Sequence, residues 1–492
     1  MSYRIAGVCL PALLALASVN LAAAPAFAAA TISLSVPAGH PQANLRFAGK
    51  GFGHGEAVDI YFDTTDMMLV VAGSTGKITA HALTVPASAL PGAHWITAVG
   101  RRDGDAAQKQ FIVRTDWNEF GFSAHNKRAN PYENVLTAAN AARLDLEWST
   151  SIPIFSSPAI VGGVAYVGSL NDGLLHAIDI TTGLAKWTFP TNGNIESSPV
   201  VAGDIVYFGS DDNSVYAVDT RSGLQVWSQP TLGPVRSSPA VANGIVYVGS
   251  DDKNIHAFNA ATGSPAWSPF ATGDLVRSSP AVLNGILYVG SYDKSLYALD
   301  ASSGQKKWSF LTGGPIQSAP AVANGIVYAG SGNGDLYAIN AATGAQVWAA
   351  ATGAGIFSSP AVANGKVYIG SEVNKLIAYP AATGGTPLWS MTVGGDVNSS
   401  PVVANGVVYV GASDNNLYAF DASAGTKLWT AVTGGAVEAS PVVSDGILYG
   451  GAVTGGLSAY ALDGGNNAVY AVRRSPPPFA SLRPDRNLRP VN

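Results

Sequence analysis

The chain has 492 residues, of which 47% are apolar and only 12% charged, with 56 glycines, 29 prolines, one cysteine and a formal net charge of −5. That length holds more than one ordinary domain, and a glycine- and proline-rich, charge-poor balance suits short strands joined by turns better than surface helices. No basic stripe offers a nucleic-acid footprint, and a lone Cys9 near the start rules out disulfide staples, cysteine-ligated metal and thiol catalysis in the mature domains.

Residues 1–28, "MSYRIAGVCLPALLALASVNLAAAPAFA", join an Arg-bearing start to an apolar run and end on the small residues Ala26 and Ala28, the pattern of a signal peptide. A transmembrane helix is the rival reading. The short run and the Ala-x-Ala ending favour cleavage, so no transmembrane span is expected. Cys9 follows Val8 and precedes most of the apolar run, a placement unsuited to a lipid anchor. The mature protein is expected to be secreted, at the cell surface or periplasmic.

Residues 31–115 carry alternating runs such as "AVDIYFD" and "AQKQFIVR", and a segment of about 85 residues with that pattern suits a small β-sandwich. "GKGFGHGE" invites a phosphate-loop reading, but its glycines lead into a strand pattern with no helix behind them, so a turn is expected. Residues 116–140 form a polar linker with room for one helical turn.

From 141 to 472 the chain repeats itself. One anchor is Trp148, Trp187, Trp227, Trp267, Trp308, Trp348, Trp389 and Trp429, spaced 39 to 41 residues apart; a second is Pro158, Pro199, Pro239, Pro280, Pro320, Pro360, Pro401 and Pro441. Self-similarity at this period denotes a stacked or circular array. Within a unit, runs such as "IVYVGS" and "NIHAFN" predict half-buried strands. Asn243-Gly244 and its counterparts through Asp445-Gly446 separate the first two runs and tolerate positive φ at both central positions of a hairpin turn. After the third run an Asx residue such as Asp219 or Asp300 stands four before a glycine, Gly223 or Gly304, another turn signature. The expected fold is all-β: an eight-bladed β-propeller of four-stranded meanders behind a small sandwich.

Proline has no N–H for a ladder and is tolerated on an edge strand. The innermost strand of a blade is such an edge, so the Ser-Ser-Pro run is expected to line the axis while the Trp strand lies outermost. Each indole wedged between blades buries ~150–250 Å². The last unit has three strands and no Trp after them, whereas Trp148 precedes the first unit. The simplest closure gives the Trp148 strand to the last blade; the rival supplies a local strand from "NNAVYAV" with Tyr470 in place of Trp. Residues 473–492, rich in Pro and Arg, read as a disordered tail.

The residue three before each proline varies while its neighbours barely change: Phe155, Glu196, Arg236, Arg277, Gln317, Phe357, Asn398 and Glu438. Variation in a fixed frame is what a ligand-facing ring around the channel would show. Phe would stack on a neutral sugar-like or peptide ligand while Arg and carboxylates hydrogen-bond it. The plain alternative is a hydrated rim with no ligand. The Asp-rich "GSDDN" at 209–213 and "GSDDK" at 249–253 lack the full calcium-loop pattern and belong to turns. His176 and His256 stand where other units carry Tyr216 or Tyr297, as packing variants, and the histidines show no zinc spacing. With neither a Gly-x-Ser-x-Gly elbow nor a Walker loop, no catalytic residue and no metal is expected.

The units "SSPAVANGIVYVGSDDKNIHAFNAATG" resemble the pyrroloquinoline-quinone-like (PQQ-like) β-propeller repeat over residues 141–465, and "RANPYENVLTAANAARLDLEWS" is similar to the segment that opens such propellers. The front domain resembles the Ig-like modules of secreted bacterial surface proteins. The propeller family includes quinone-dependent alcohol and sugar dehydrogenases and also cofactor-free members, among them the scaffold propeller of outer-membrane β-barrel assembly. Its larger alcohol dehydrogenases commonly hold the quinone beneath a ring of two adjacent cysteines, with calcium on Glu, Asn and Asp and an Asp as base. This sequence has no cysteine pair, and no position matches those ligands or that base. The resemblance thus implies an exported, monomeric, non-enzymatic propeller with no cofactor that binds a protein or polysaccharide partner or serves as a scaffold. The alternative it implies is an atypical dehydrogenase using PQQ with calcium.

Overall fold

A computed structural model of the chain describes residues 29–462 together with residues 482, 488 and 490. The expected signal at 1–28, nearly all of the expected tail and the Tyr470 segment lie outside the described residues. Among the described residues no helix is long and apolar enough to cross a membrane.

The front region is two sheets over one core. Strands Thr31–Leu34, Asn44–Lys50 and Lys77–Thr84 form one; Ala38–Gly39, Ala106–Val113, Gly92–Gly100, Ala57–Phe62 and Thr65–Val71 form the other, in that order. Their alternation buries Leu45, Phe47, Ile60, Ile96 and Phe111 in a shared cluster. The "GKGFGHGE" stretch ends one strand and turns into the next: Glu56 accepts the Gly53 N–H at 2.8 Å, and no helix follows.

Eight blades of four antiparallel strands follow, seven of them built from consecutive strands, and the sheet of blade 7 carries a fifth strand from the linker. Blade 1 comprises Ala159–Val161, Val164–Gly168, Leu174–Asp179 and Ala185–Pro190. Asn243, Asn284, Asn324, Asn364, Asn405 and Asp445 all have φ between 43° and 55° and precede a glycine of positive φ, the primed turn their sequence demands. Blade 8 takes Val442–Ser444, Ile447–Ala452 and Gly456–Leu462 from the chain end, and its outer strand is Leu144–Ser149, paired antiparallel with Gly456–Leu462. Closure therefore runs through Trp148. The prolines stand one residue before each inner strand rather than within it, so the short ladders lose no N–H to them.

Each indole joins its blade to the next. Trp187 Nε1 donates to Thr220 O at 3.0 Å, Trp227 to Ala260 O at 2.9 Å, Trp308 to Ala341 O at 3.0 Å and Trp148 to Ile180 O at 2.8 Å. Trp267, Trp348, Trp389 and Trp429 donate likewise to Ala301, Ala381, Ala422 and Leu144. From Tyr207 to Tyr368 a tyrosine of the second strand donates to the same next-blade carbonyl. Trp227, Trp267, Trp348 and Trp389 are buried, whereas Trp148, Trp187, Trp308 and Trp429 keep partial exposure at the outer rim.

The 116–140 linker does more than connect. Inner strands leave a row of unpaired edge groups facing the axis. The linker backbone takes up seven of them, on six blades: Trp117 exchanges two 2.8 Å bonds with Ile160, and Asn118, Ala124, His125, Lys127 and Arg128 carbonyls accept the N–H groups of Val201, Val282, Val322, Val362 and Val403. Ala129–Asn130 adds a short parallel strand to blade 7, and Asn130 Nδ2 reaches Val443 O of blade 8 at 2.9 Å. The helical turn expected within the linker is a 3-10 turn just beyond it, Ala141–Arg143.

Candidate functional site

The eight variable positions are brought together. Phe155, Glu196, Arg236, Arg277, Gln317, Phe357, Asn398 and Glu438 all line one axial cavity of about 270 Å³, with Phe120 of the linker as the lining group from outside the blades. Their common position follows from the frame around them, which is a belt of serines.

The first serine of each Ser-Ser-Pro step ties its own blade: Ser237 Oγ donates to Gly249 O at 2.8 Å and accepts Gly249 N–H at 2.7 Å. The second serine ties neighbours. Ser157 N donates to Ser198 Oγ, Ser198 N to Ser238 Oγ and Ser238 N to Ser279 Oγ, all at 2.8–3.0 Å. Ala319, Ser359, Ser400 and Ser440 continue the circle, the last donating to Ser157 Oγ at 2.9 Å. Ala319 has no hydroxyl to accept from Ser279, so the circle is broken there. Ala319→Ser is expected to complete it. A net gain of about 0.5–1.5 kcal/mol should raise Tm by roughly 1–3 °C; an unchanged or lower melting curve would show that the belt does not hold the blades in register.

Both ring cations are already engaged. Arg236 is held by Asp211 (Nε–Oδ1 2.8 Å, Nη2–Oδ2 3.2 Å) and Arg277 by Asp251 (Nε–Oδ1 2.9 Å, Nη2–Oδ2 2.8 Å). The first Asp of each "GSDD" stretch thus reaches across to the next blade, a use beyond the turn chemistry its sequence indicates. The second Asp serves its own blade: Tyr216 donates to Asp212 at 2.7 Å and His256 Nε2 lies 2.9 Å from Asp252 Oδ2, so His and Tyr are interchangeable there. His176 bonds Asp172 in the same way. Tyr292 occupies the "GSDD" place in blade 4 and hydrogen-bonds Gln317, the next ring residue.

Electrostatics differ around the ring. Asp211 and Asp251 bonds raise the already high basicity of Arg236 and Arg277. Burial lifts Glu196 above the usual carboxylate range, opposed by the Arg236 charge, whose Nε lies 3.7 Å away. Burial also lifts Glu438, with an Asn398 hydrogen bond opposing and Asp396 adding to the rise.

Sequence reasoning passed over Phe120 and Arg128. Arg128 is fully buried; its guanidinium lies 4.2 Å over the Phe120 ring, Nε donates to Pro401 O at 3.2 Å, and burial lowers its pKa to about 9. A positive φ at Phe122, Asn126 and Arg128 shows how tightly this stretch is bent to follow the axis. Among the described residues one cluster has the spacing for a cation, Glu56, Asp103 and Asp105, and it lies in the front region; Glu56 there already accepts three backbone N–H bonds.

A family described as outer membrane protein assembly factor BamB matches residues 95–235, 211–355 and 333–477. Among solved structures, BamB from Moraxella catarrhalis is 19% identical with a TM-score of 0.58, over 65% of this chain and 99% of that one. The quinohemoprotein alcohol dehydrogenase ADHIIG from Pseudomonas putida HK5 is 18% identical with a TM-score of 0.63, over 75% and 82%. A computationally designed protein, Ika8, is 18% identical with a TM-score of 0.58, over 64% and 98%. Identities this low carry the fold alone. No curated protein sequence matches.

Proposed function

The chain belongs to the BamB-type family of PQQ-like β-propeller repeat proteins, and from that premise we propose that it is an exported, non-enzymatic propeller that works as a binding or scaffold protein outside the cytoplasm. The observation that carries this reading is the cavity itself. Eight side chains of five kinds line one axial funnel on a serine belt that hardly varies, an economical way to vary recognition while keeping the wall. The front region, read as an Ig-like module, adds a second surface to the same exported chain.

The donors present are a poor match for a quinone. A planar quinone bearing carboxylates would need free cationic donors, yet Arg236 and Arg277 are each chelated by an aspartate, and Glu196 and Glu438 add further negative charge to the same ring. The cation-spaced carboxylates lie in the front region, away from the funnel. The residues do not fit the group. Supplying PQQ and Ca²⁺ to the purified full chain is expected to give neither a bound-quinone absorbance nor dye reduction with alcohols or sugars. A reproducible, substrate-dependent dye signal would overturn the non-enzymatic reading.

A further inference from the structure

The ring has two sectors in different electrostatic states. Across blades 2 to 4, Arg236 and Arg277 are neutralised by Asp211 and Asp251, and Glu196 lies against Arg236. Little there is left to bind an external charge. Blades 6, 7, 8 and 1 contribute, in that order, Phe357, Asn398, Glu438 and Phe155 to the cavity. The repeat places Glu372 of blade 6 where blades 2 and 3 carry Asp211 and Asp251, and Asn398 of blade 7 where the next blades carry Arg236 and Arg277. This seam has kept the carboxylate and lost its cation.

Three further observations describe the charge of this sector. Among the described residues neither Glu372, Asp396 nor Glu438 enters an ion pair. Asn398 Oδ1 is buried with no hydrogen-bond partner among the described residues. Burial and then the charge of Asp396 hold the Glu372 carboxyl above its usual range, and no cation acts on it in the opposite sense.

We propose that this sector binds an alkylammonium group, the ligand supplying between blades 6 and 8 the cation that arginine supplies elsewhere in the ring. An ammonium has three donors for the Glu438 carboxylate and other oxygens of the funnel wall, and its methylenes and charge suit the phenyl faces of Phe357 and Phe155. This rests on the reading of the funnel as a binding site.

Calorimetric titration of the full mature chain tests it, with spermidine as a free polyamine, N-acetyl-lysine methylamide as a side-chain source, and glutarate and glucose as anionic and neutral probes. An amine is expected to bind, with Glu438→Gln and Asn398→Leu each weakening it about tenfold or more and Arg221→Ala, at an exposed arginine that does not line the funnel, leaving it unchanged. Binding by spermidine alone marks a free polyamine as the ligand class, and binding by the lysine derivative as well marks a peptide side chain. Amine binding that survives Glu438→Gln overturns the assignment. If glutarate or glucose binds instead and Phe357→Ala abolishes it, the ammonium assignment fails while the funnel remains a binding site; if no probe of any charge binds, both fall.

Discussion

Deleting residues 141–152 is expected to prevent the ring from closing and to lower Tm by roughly 15 °C or more, or to leave no soluble monomer. The segment removes more than one strand. Leu144–Ser149 supplies the outer strand of blade 8; Trp148 donates across the first seam to Ile180 O at 2.8 Å, and Leu144 O accepts Trp429 across the last seam at 2.8 Å. Thr150 exchanges two further bonds with Leu457, and Leu144 is buried in the cluster that joins blades 7, 8 and 1. Both seams flanking blade 8 therefore open together, and blade 8 presents a naked edge. Circular dichroism melting of the purified variant checks this. A Tm within about 2 °C of the parent would mean that another segment, the one around Tyr470, closes the circle.

How much of this was legible beforehand varied with the kind of interaction. The blades, their primed turns and the Trp148 closure follow from side-chain signals: Asn-Gly pairs, apolar alternation and a Trp at a fixed period. The linker carries no such signal. Its hold on the axis is made mainly by backbone carbonyls of Asn118, Ala124, His125, Lys127 and Arg128, which almost any residue could present, so 116–140 reads as a plain polar connector. The burial of Arg128 is likewise invisible, because a charged residue in a polar stretch looks solvated.

The eight ring positions could be found from sequence because variation stood out against a constant frame; what they touch could not. From sequence Arg236 and Arg277 read as ligand-binding cations; in the fold Asp211 and Asp251 pair with them. The clue lay in the repeat. Arg appears in the ring only where the preceding unit carries Asp at the place after "GS", and Gln317 follows Tyr292. Such covariation between neighbouring units marks contacts across a seam, and it also singles out Glu372, whose partner position holds Asn398 instead of a base.

Trp348→Ala is expected to cost about 3–5 kcal/mol, a fall in Tm of roughly 5–10 °C, because a buried indole is removed from a seam with little room to collapse. Its Nε1 donates to Ala381 O at 3.1 Å, and its ring packs 5.9 Å from Tyr328 and 6.4 Å from Tyr379. The same seam can be probed from its other side with an internal control. Gly365 and Gly384 both lie in blade 6 with positive φ, 74° and 59°, so an alanine at either meets comparable backbone strain. A Cβ on Gly365 would meet open space, whereas one on Gly384 would come within 2.4 Å of the Trp348 ring. Gly365→Ala is expected to cost about 1 kcal/mol. Gly384→Ala should cost a further 1–3 kcal/mol or so, since the indole, pinned by its hydrogen bond, must be displaced. In the Trp348→Ala background that excess should vanish. Equal costs for the two glycines in the parent would show that the indole does not bear on the turn, and that the circle is held by the inner serine belt rather than by its outer seams.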